Sequence, residues 1–412
     1  MKRIFTIARL GALLGLLPAG FLGGQGPEVR LWMPYSFDSP AGACLLRDLE
    51  NWAGKARQNS ENQLPLHRFV SLPEGRYVDQ LTAAFNTGEQ PDLALMDARQ
   101  LAELNVQGAG SLYAVNLVGL WVNEGQLAGE SSAFRDLIAV WTGEPQASLA
   151  AFEAVLRSLS GPGVPALGLD TGRDDQALGD SLLALFYQLT PALRGPSAPD
   201  WSSTAVSDLL QALARWQDQE LMREVQLAQV QMDATQVPPL VLARFSAGQA
   251  LGLDFAFYPL FSNQVGQPAS YIEYPYVWML LRPEGAGLWQ ALHAAIEAGE
   301  VFETCGVAAG LLSRLQLTSG VVQQVELVEI DTVGSEDLLT SAPVEDRPAL
   351  QASIVQSLGS RAGRIAPING TAAVPWQPQW APLPMALSHA VRDMRAGLSV
   401  ENAVRALTAE QR

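Results

Sequence analysis

"YVDQLTAAFNTGEQPDLALMD", residues 77 to 97, sets the fold class. Tyr77, Leu81 and Phe85 fall at i, i+4 and i+8, one stripe of an amphipathic helix, and Gly88 marks its stop. "PDLALMD" then reads as a short apolar strand that closes on a carboxylate, Asp97. Working backward, "EVRLWMPYSF" (28–37) alternates like a first strand, and "ACLLRDLENWAGKARQ" (43–58) puts Leu45, Leu46, Leu49 and Trp52 on one helical face. "LPLHRFVSL" (64–72) is strand-like again. Strands alternating with helices mean βαβ units and a mainly parallel sheet, an α/β protein. In such sheets ligands bind beyond the carboxyl ends of the strands. Asp97 stands at such an end and Trp32 and Tyr35 follow the first strand, so these three are expected to share a crevice.

The 412 residues exceed the size at which one hydrophobic core stops growing, so two lobes are expected. A net charge of −16 argues against nucleic acid as a partner, because binding it needs clustered cations to neutralise phosphates. Lys2 and Lys55 are the only lysines, and no Gly-rich phosphate loop with its Lys-Ser/Thr can be drawn. Met1-Lys2-Arg3 precede "LGALLGLLPAGFLGG", which has the proportions of a secretory apolar region. Residues 1–26 are therefore read as an export signal or a retained N-terminal anchor. That places the protein in the periplasm or on the outer face of the cytoplasmic membrane. Cys44 and Cys305 are the only cysteines; a pair and two free thiols are both open.

Downstream, "SLYAVNLVGLWVNE" (111–124) gives two β-like runs and "VPALGLD" (164–170) a strand ending at Asp170. "VLARFSAGQALGLDFAFYP" (241–259) reads as helix, turn and strand, with Asp254 closing an apolar run. Catalytic signals are weak. His67, His293 and His389 show no metal spacing, and no G-x-S-x-G elbow is present, so neither an enzyme nor a metal or cofactor site is expected. Tyr271, Tyr274 and Tyr276 alternate along one run and are read as cross-strand packing rather than metal-binding phenolates. A glycosidase needs only two carboxylates, whose separation a sequence does not give.

"YVDQLTAAFNTGEQPDLALMD", "LYAVNLVGLWVNEGQLA", "ARFSAGQALGLDF" and "MRAGLSVENAVRAL", in this order, resemble the extracellular solute-binding proteins of ABC importers, in their sugar-binding group. Two departures stand out: Asn116 where that family usually has Pro, and "DFAFYP" where it has Gly-Trp. The resemblance implies a two-lobed, type II periplasmic binding protein-like fold with the ligand cleft between the lobes. Chain crossings would fall near 112–116, 256–275 and 340–350. The first lobe would comprise 27–112 plus 270–345, the second 113–269 plus 346–412.

It further implies a monomer that closes by a hinge on a carbohydrate or related polyol and delivers it to ABC importer permease subunits. A degenerate fold serving as a scaffold, or a glycoside-active enzyme, are the alternatives. A polyol cleft needs flat aromatic faces and a few carboxylates, so the candidate ligand-binding residues are Trp32, Tyr35, Asp97, Trp121, Asp170, Asp254, Trp376 and Trp380. The two last-named tryptophans are chosen because the family often places a stacking aromatic before its closing helix. Each candidate has a packing alternative: rim or core aromatics for Trp32 and Tyr35, core for Trp121, a helix N-cap for Asp97, turns for Asp170 and Asp254, and a loop staple for Trp376 and Trp380.

Overall fold

The computed structural model describes residues 28–34, 40–59, 65–72, 74–106, 108–128, 149–172, 175–193, 199–227, 237–248, 251, 254–262, 269–301, 311–312, 372–375 and 377–409. The segment 1–26, Tyr35, Cys305, Trp376 and the crossing expected near 340–350 lie outside them.

The first elements are β1 (Val29–Met33), α1 (Pro40–Asn59), β2 (His67–Ser71), α2 (Glu74–Thr87), β3 (Leu93–Asp97) and α3 (Ala98–Glu103). A long strand, β4 (Gly110–Asn123), leads through α4 (Glu124–Ala128) and α5 (Leu149–Leu159) to β5 (Leu167–Asp170). Then come α6 (Asp175–Leu189), α7 (Thr204–Asp218), β6 (Met222–Val225), β7 (Leu240–Arg244), α8 (Phe245–Gly248) and β8 (Phe255–Tyr258). The chain returns by β9 (Ser270–Leu280) and α9 (Ala286–Ala298), and ends with β10 (Ala372–Pro375), α10 (Leu383–Arg395) and α11 (Val400–Ala409).

Residues 77–97 fold as their pattern demands. Gly88 takes φ 71°, its N–H reaches the Phe85 carbonyl at 3.3 Å, and the Glu89 N–H reaches Ala84 at 2.9 Å. That is the double closure that ends a helix on a left-handed glycine. The buried Asp92 then stitches strands together. Its carboxylate accepts the Arg30 N–H at 2.7 Å, and its carbonyl accepts the Leu281 N–H at 2.9 Å.

The sheet runs β2-β1-β3-β9-β4-β7-β5-β6, with β8 also on β4 and β10 also on β9. Within each flank the strands are parallel: β1 with β2 and β3, and β5 with β6 and β7. The antiparallel pairings all involve β4 or β9. These two strands run alongside each other from Gly110↔Met279 to Val118↔Ile272, with a bulge between Leu112 and Ala114. Pro275, which has no N–H to give, sits opposite Val115.

Buried apolar side chains divide at the same place. Two clusters draw on residues 29–114 and 276–311, and two others on 115–274, Leu312 and 380–407. Residues 111–123 form one continuous strand, not two, because every position from Tyr113 to Asn123 is buried between neighbours. Leu240–Arg244 is a strand where a helix was read. Periodicity does not separate a buried strand of five residues from one turn of buried helix. Cys44, on α1, is disulfide-bonded, which excludes the free thiol for that residue.

Two contacts set limits on substitution. In α6, a Cβ on Gly179 would lie 2.0 Å from the Pro384 carbonyl oxygen at the start of α10. Gly179→Ala is therefore expected to lower stability by about 1–3 kcal/mol in urea titration, the usual range for overpacking. Between α5 and α7, Glu153 accepts from Arg157 (2.5 Å), Arg215 (3.0 Å) and Trp216 Nε1 (3.1 Å). Burial alone would raise its pKa, but hydrogen bonds from Arg215 and Trp216, with the charges of Arg215 and Arg157, bring it below the usual value. A depressed carboxylate stabilises above its unfolded pKa of about 4.3, and that contribution is lost as pH falls through the folded value. Acid melts of Glu153→Gln should show less stability at neutral pH and a shallower loss below pH 5 than the parent.

Candidate functional site

The register places the carboxyl ends of the two flanks face to face. Asp97 at the end of β3 pairs with Tyr276, which pairs with Ala114 on β4. Arg244 at the end of β7 pairs with Val118 of the same strand. Four residues of β4 separate the two levels, about 13 Å at ~3.3 Å per residue.

On the first side, Asp97 is the N-cap of α3. Its Oδ1 accepts the Gln100 N–H at 2.8 Å, and Gln100 Oε1 accepts the Asp97 N–H at 3.0 Å, a reciprocal capping box. The other carboxylate oxygen lies 3.9 Å from Arg99 Nη2. Arg99 is only 9% exposed, and its Nε has no hydrogen-bond partner. A buried donor in that condition costs about 1–3 kcal/mol until something accepts from it.

On the second side, Asp180 projects from α6 and is fully buried. Arg244 Nε and Nη2 both donate to its Oδ2, at 3.0 and 2.5 Å, and the Tyr274 hydroxyl donates to Oδ1 at 2.7 Å. The Arg244 guanidinium also lies 5.1 Å from the centroid of the Tyr274 ring. Burial pushes the Asp180 carboxyl up, against the pull of Arg244, Arg99 and the Tyr274 hydroxyl. Burial and the Asp180 charge push the Tyr274 phenol far up, so it stays a protonated donor. Beneath this cluster Asn116, the β4 partner of Tyr274, donates to Ser246 Oγ at 2.7 Å and accepts the Ser246 N–H at 3.2 Å.

Helix α3 bridges the two sides. The charge of Arg99 acts on both Asp180 and Tyr274. Glu103 has its pKa raised by burial, with Arg99 pulling it down and both Asp97 and Asp180 pushing it up. Ala98 packs on the core cluster that holds Trp380, and Trp380, in the turn Pro378–Trp380, meets the Tyr187 ring edge-on at 5.5 Å.

The sequence candidates separate on this frame. Asp97, Asp170 and Trp380 come to the junction. Asp170 ends β5 and accepts the N–H groups of Gly172 (3.0 Å) and Leu227 (3.2 Å) through Oδ1; burial raises its pKa against those bonds. Trp32 lies within β1 rather than after it, half-buried against Tyr77, whose hydroxyl donates to the Trp32 carbonyl at 3.0 Å. Two candidates need correction. Trp121 is core: it stacks on Phe245 at 5.6 Å, and a Cβ on Gly248 would fall 1.8 Å from its Nε1. Asp254 precedes β8 and is exposed beside α4, where its carbonyl accepts the Glu124 N–H at 2.8 Å; β8 pairs with the end of β4 remote from the junction. Tyr35 and Trp376 lie outside the described residues. Arg99, Asp180, Arg244 and Tyr274 had no place among the candidates. The signal for two of them was a charge within or at the end of an apolar run, "ALGDSLLALF" and "LVLAR".

No family model matches the sequence, and no curated protein is detectably similar to it. Solved structures do match over nearly the whole chain. The cyclic alpha-maltosyl-1,6-maltose binding protein of Arthrobacter globiformis aligns at TM-score 0.58 and 14% identity, covering 94% of this chain and 98% of that one. The sugar-binding protein MalE of Xanthomonas citri aligns at 0.55 and 15%, covering 92% and 95%. An ABC transporter solute-binding protein of Thermotoga lettingae, bound with alpha-D-tagatose, aligns at 0.56 and 11%, covering 94% and 99%. The fold is that of the two-lobed solute-binding proteins. The α/β, type II architecture implied by the sequence segments therefore holds.

Removing one bond of the cluster should be separable from stranding a charge. Tyr274→Phe is expected to cost about 1.5–3 kcal/mol, a hydrogen bond to a charged group. Asp180→Ala should cost about 3–5 kcal/mol because Arg244 is left buried without its counter-ion. Chemical denaturation of both variants checks the order.

Proposed function

We propose that the protein is the exported solute-binding subunit of an ABC importer and that it holds a carbohydrate or related polyol between its lobes. One observation carries the reading: acceptors and donors with spare capacity converge from the opposed strand ends of a solute-binding fold. The second carboxylate oxygen of Asp97 and the Nε of Arg99 are a matched acceptor and donor for neighbouring hydroxyl groups. Asp180, Arg244 and Tyr274 form the opposite wall, Asp170 adds a carboxylate beside it, Trp32 supplies half-buried aromatic surface, and Trp380 packs in the core behind, beside Ala98. Tyr35 and Trp376 belong to the same proposal.

The lobes are taken as 27–112 plus 270–345 and 113–269 plus 346–412, closing by a hinge on the bound solute. Binding without turnover, a monomer, permease subunits as partners, and residence in the periplasm or on the outer membrane face complete the proposal. Among the described residues no helix is long and apolar enough to cross a membrane.

Calorimetry and thermal shift against maltose, mannobiose, tagatose and simple polyols test it. A true ligand at a hundred times its Kd should stabilise by about 2.7 kcal/mol, with no product formed. Arg99→Ala should weaken that ligand at least tenfold, since a donor in a buried polar site is removed. Silence across the panel, or hydrolysis of a glycoside, overturns the proposal.

A further inference from the structure

A cavity lies at the opposite end of β1 and β2 from the junction. It has a volume of about 320 Å3, and its walls include Glu50, Arg57, His67, Arg68 and Phe69, from α1 and β2. His67 pairs with Val29, the first residue of β1, whereas the junction lies past the last, so about 13 Å of strand separates the two places. Gly54 opens onto the same space: a Cβ there would have nothing within 4 Å.

The charge here runs against the rest of the molecule. In a chain of net charge −16, two arginines and a histidine face one glutamate. The Arg68 side chain is exposed and makes no hydrogen bond or ion pair with the described residues. Arg57 Nη2 lies 3.2 Å from His67 Nδ1, and the same nitrogen lies 3.1 Å from the Pro65 carbonyl oxygen. These two contacts exclude each other. Nδ1 without a proton accepts from Arg57; Nδ1 with a proton donates to Pro65 and releases Arg57. Phe69 closes one side, its ring edge-on to His67 at 5.5 Å.

We infer that this cavity binds a small oxyanion, a carboxylate or phosphate-type group, held by Arg57 and Arg68 with His67 protonated upon binding. The inference does not depend on the solute read for the junction. In the empty protein, burial first and then the charge of Arg57 depress the His67 pKa, against the Pro65 carbonyl and Glu28, so the ring is neutral at pH 7. An anion favours the protonated ring. Affinity must therefore rise as pH falls through the histidine range.

Sulfate is the suitable probe because its charge does not change over this range. Calorimetry of the full chain, at ionic strength matched with chloride, should show saturable sulfate binding at pH 6 that weakens at least tenfold by pH 8. The double variant R57Q/R68Q, both sites being exposed, should melt normally and lose the binding; H67Q should retain binding but flatten its pH dependence. Absence of saturable binding at pH 6, or binding that survives R57Q/R68Q, overturns the inference. Co-sedimentation with phosphatidylglycerol vesicles distinguishes the sources. Pelleting that the double variant abolishes assigns a lipid headgroup, and no pelleting with sulfate binding intact assigns a free anion.

Discussion

The ladder between β4 and β9 is the constraint on which everything else rests. Two strands are shared by both halves of the sheet, so the register Gly110↔Met279 through Val118↔Ile272 fixes how far apart the remaining strand ends can lie. The buried clusters obey the same division, changing membership between Ala114 and Val115 on one strand and between Tyr274 and Tyr276 on the other. A slip of one residue would turn each side chain of the shared segment to the other face and exchange the contents of the cores.

Around that ladder, charges enter the interior only with company. Asp180 has Arg244 and Tyr274, Glu153 has two arginines and an indole, and Asp92 has backbone N–H groups. The guanidinium groups of Arg99 and Arg223 depart from the pattern, with buried nitrogens that have no hydrogen-bond partner among the described residues. Structural polar groups are satisfied because burial otherwise costs too much. A donor left over at the meeting point of opposed strand ends is where a ligand's oxygen belongs.

Much of this was legible locally. Helix stripe, glycine stop and apolar strand in residues 77–97 gave α2 and β3 because the signals depend on neighbours within a turn or two. Asp97 was legible twice, as helix cap and as strand-end carboxylate, and the structure uses one oxygen for the first role, leaving the second beside Arg99. What failed depends on distant residues. Asp180 and Arg244 are 64 positions apart and meet only when α6 lies on β7, and no spacing announces that. Trp121 reads equally as shelf or core until Gly248 is seen to leave a slot for its ring. Four apolar residues at 240–243 carry no period that separates strand from helix.

Asn116 departs from the proline expected there, and its side chain clasps Ser246 while its ladder partner Tyr274 is pinned to Asp180. Both shared strands are thus tied to α6 and α8, through Asp180 and Ser246. On the other side the ladder is interrupted by the bulge at Leu112–Ala114, and opposite Pro275 the backbone of Val115 bonds to Leu312 instead. A load passed along the ladder would meet its one irregular step at Leu112–Ala114, between a stretch tied to α6 and α8 and the pairs that lead to β3.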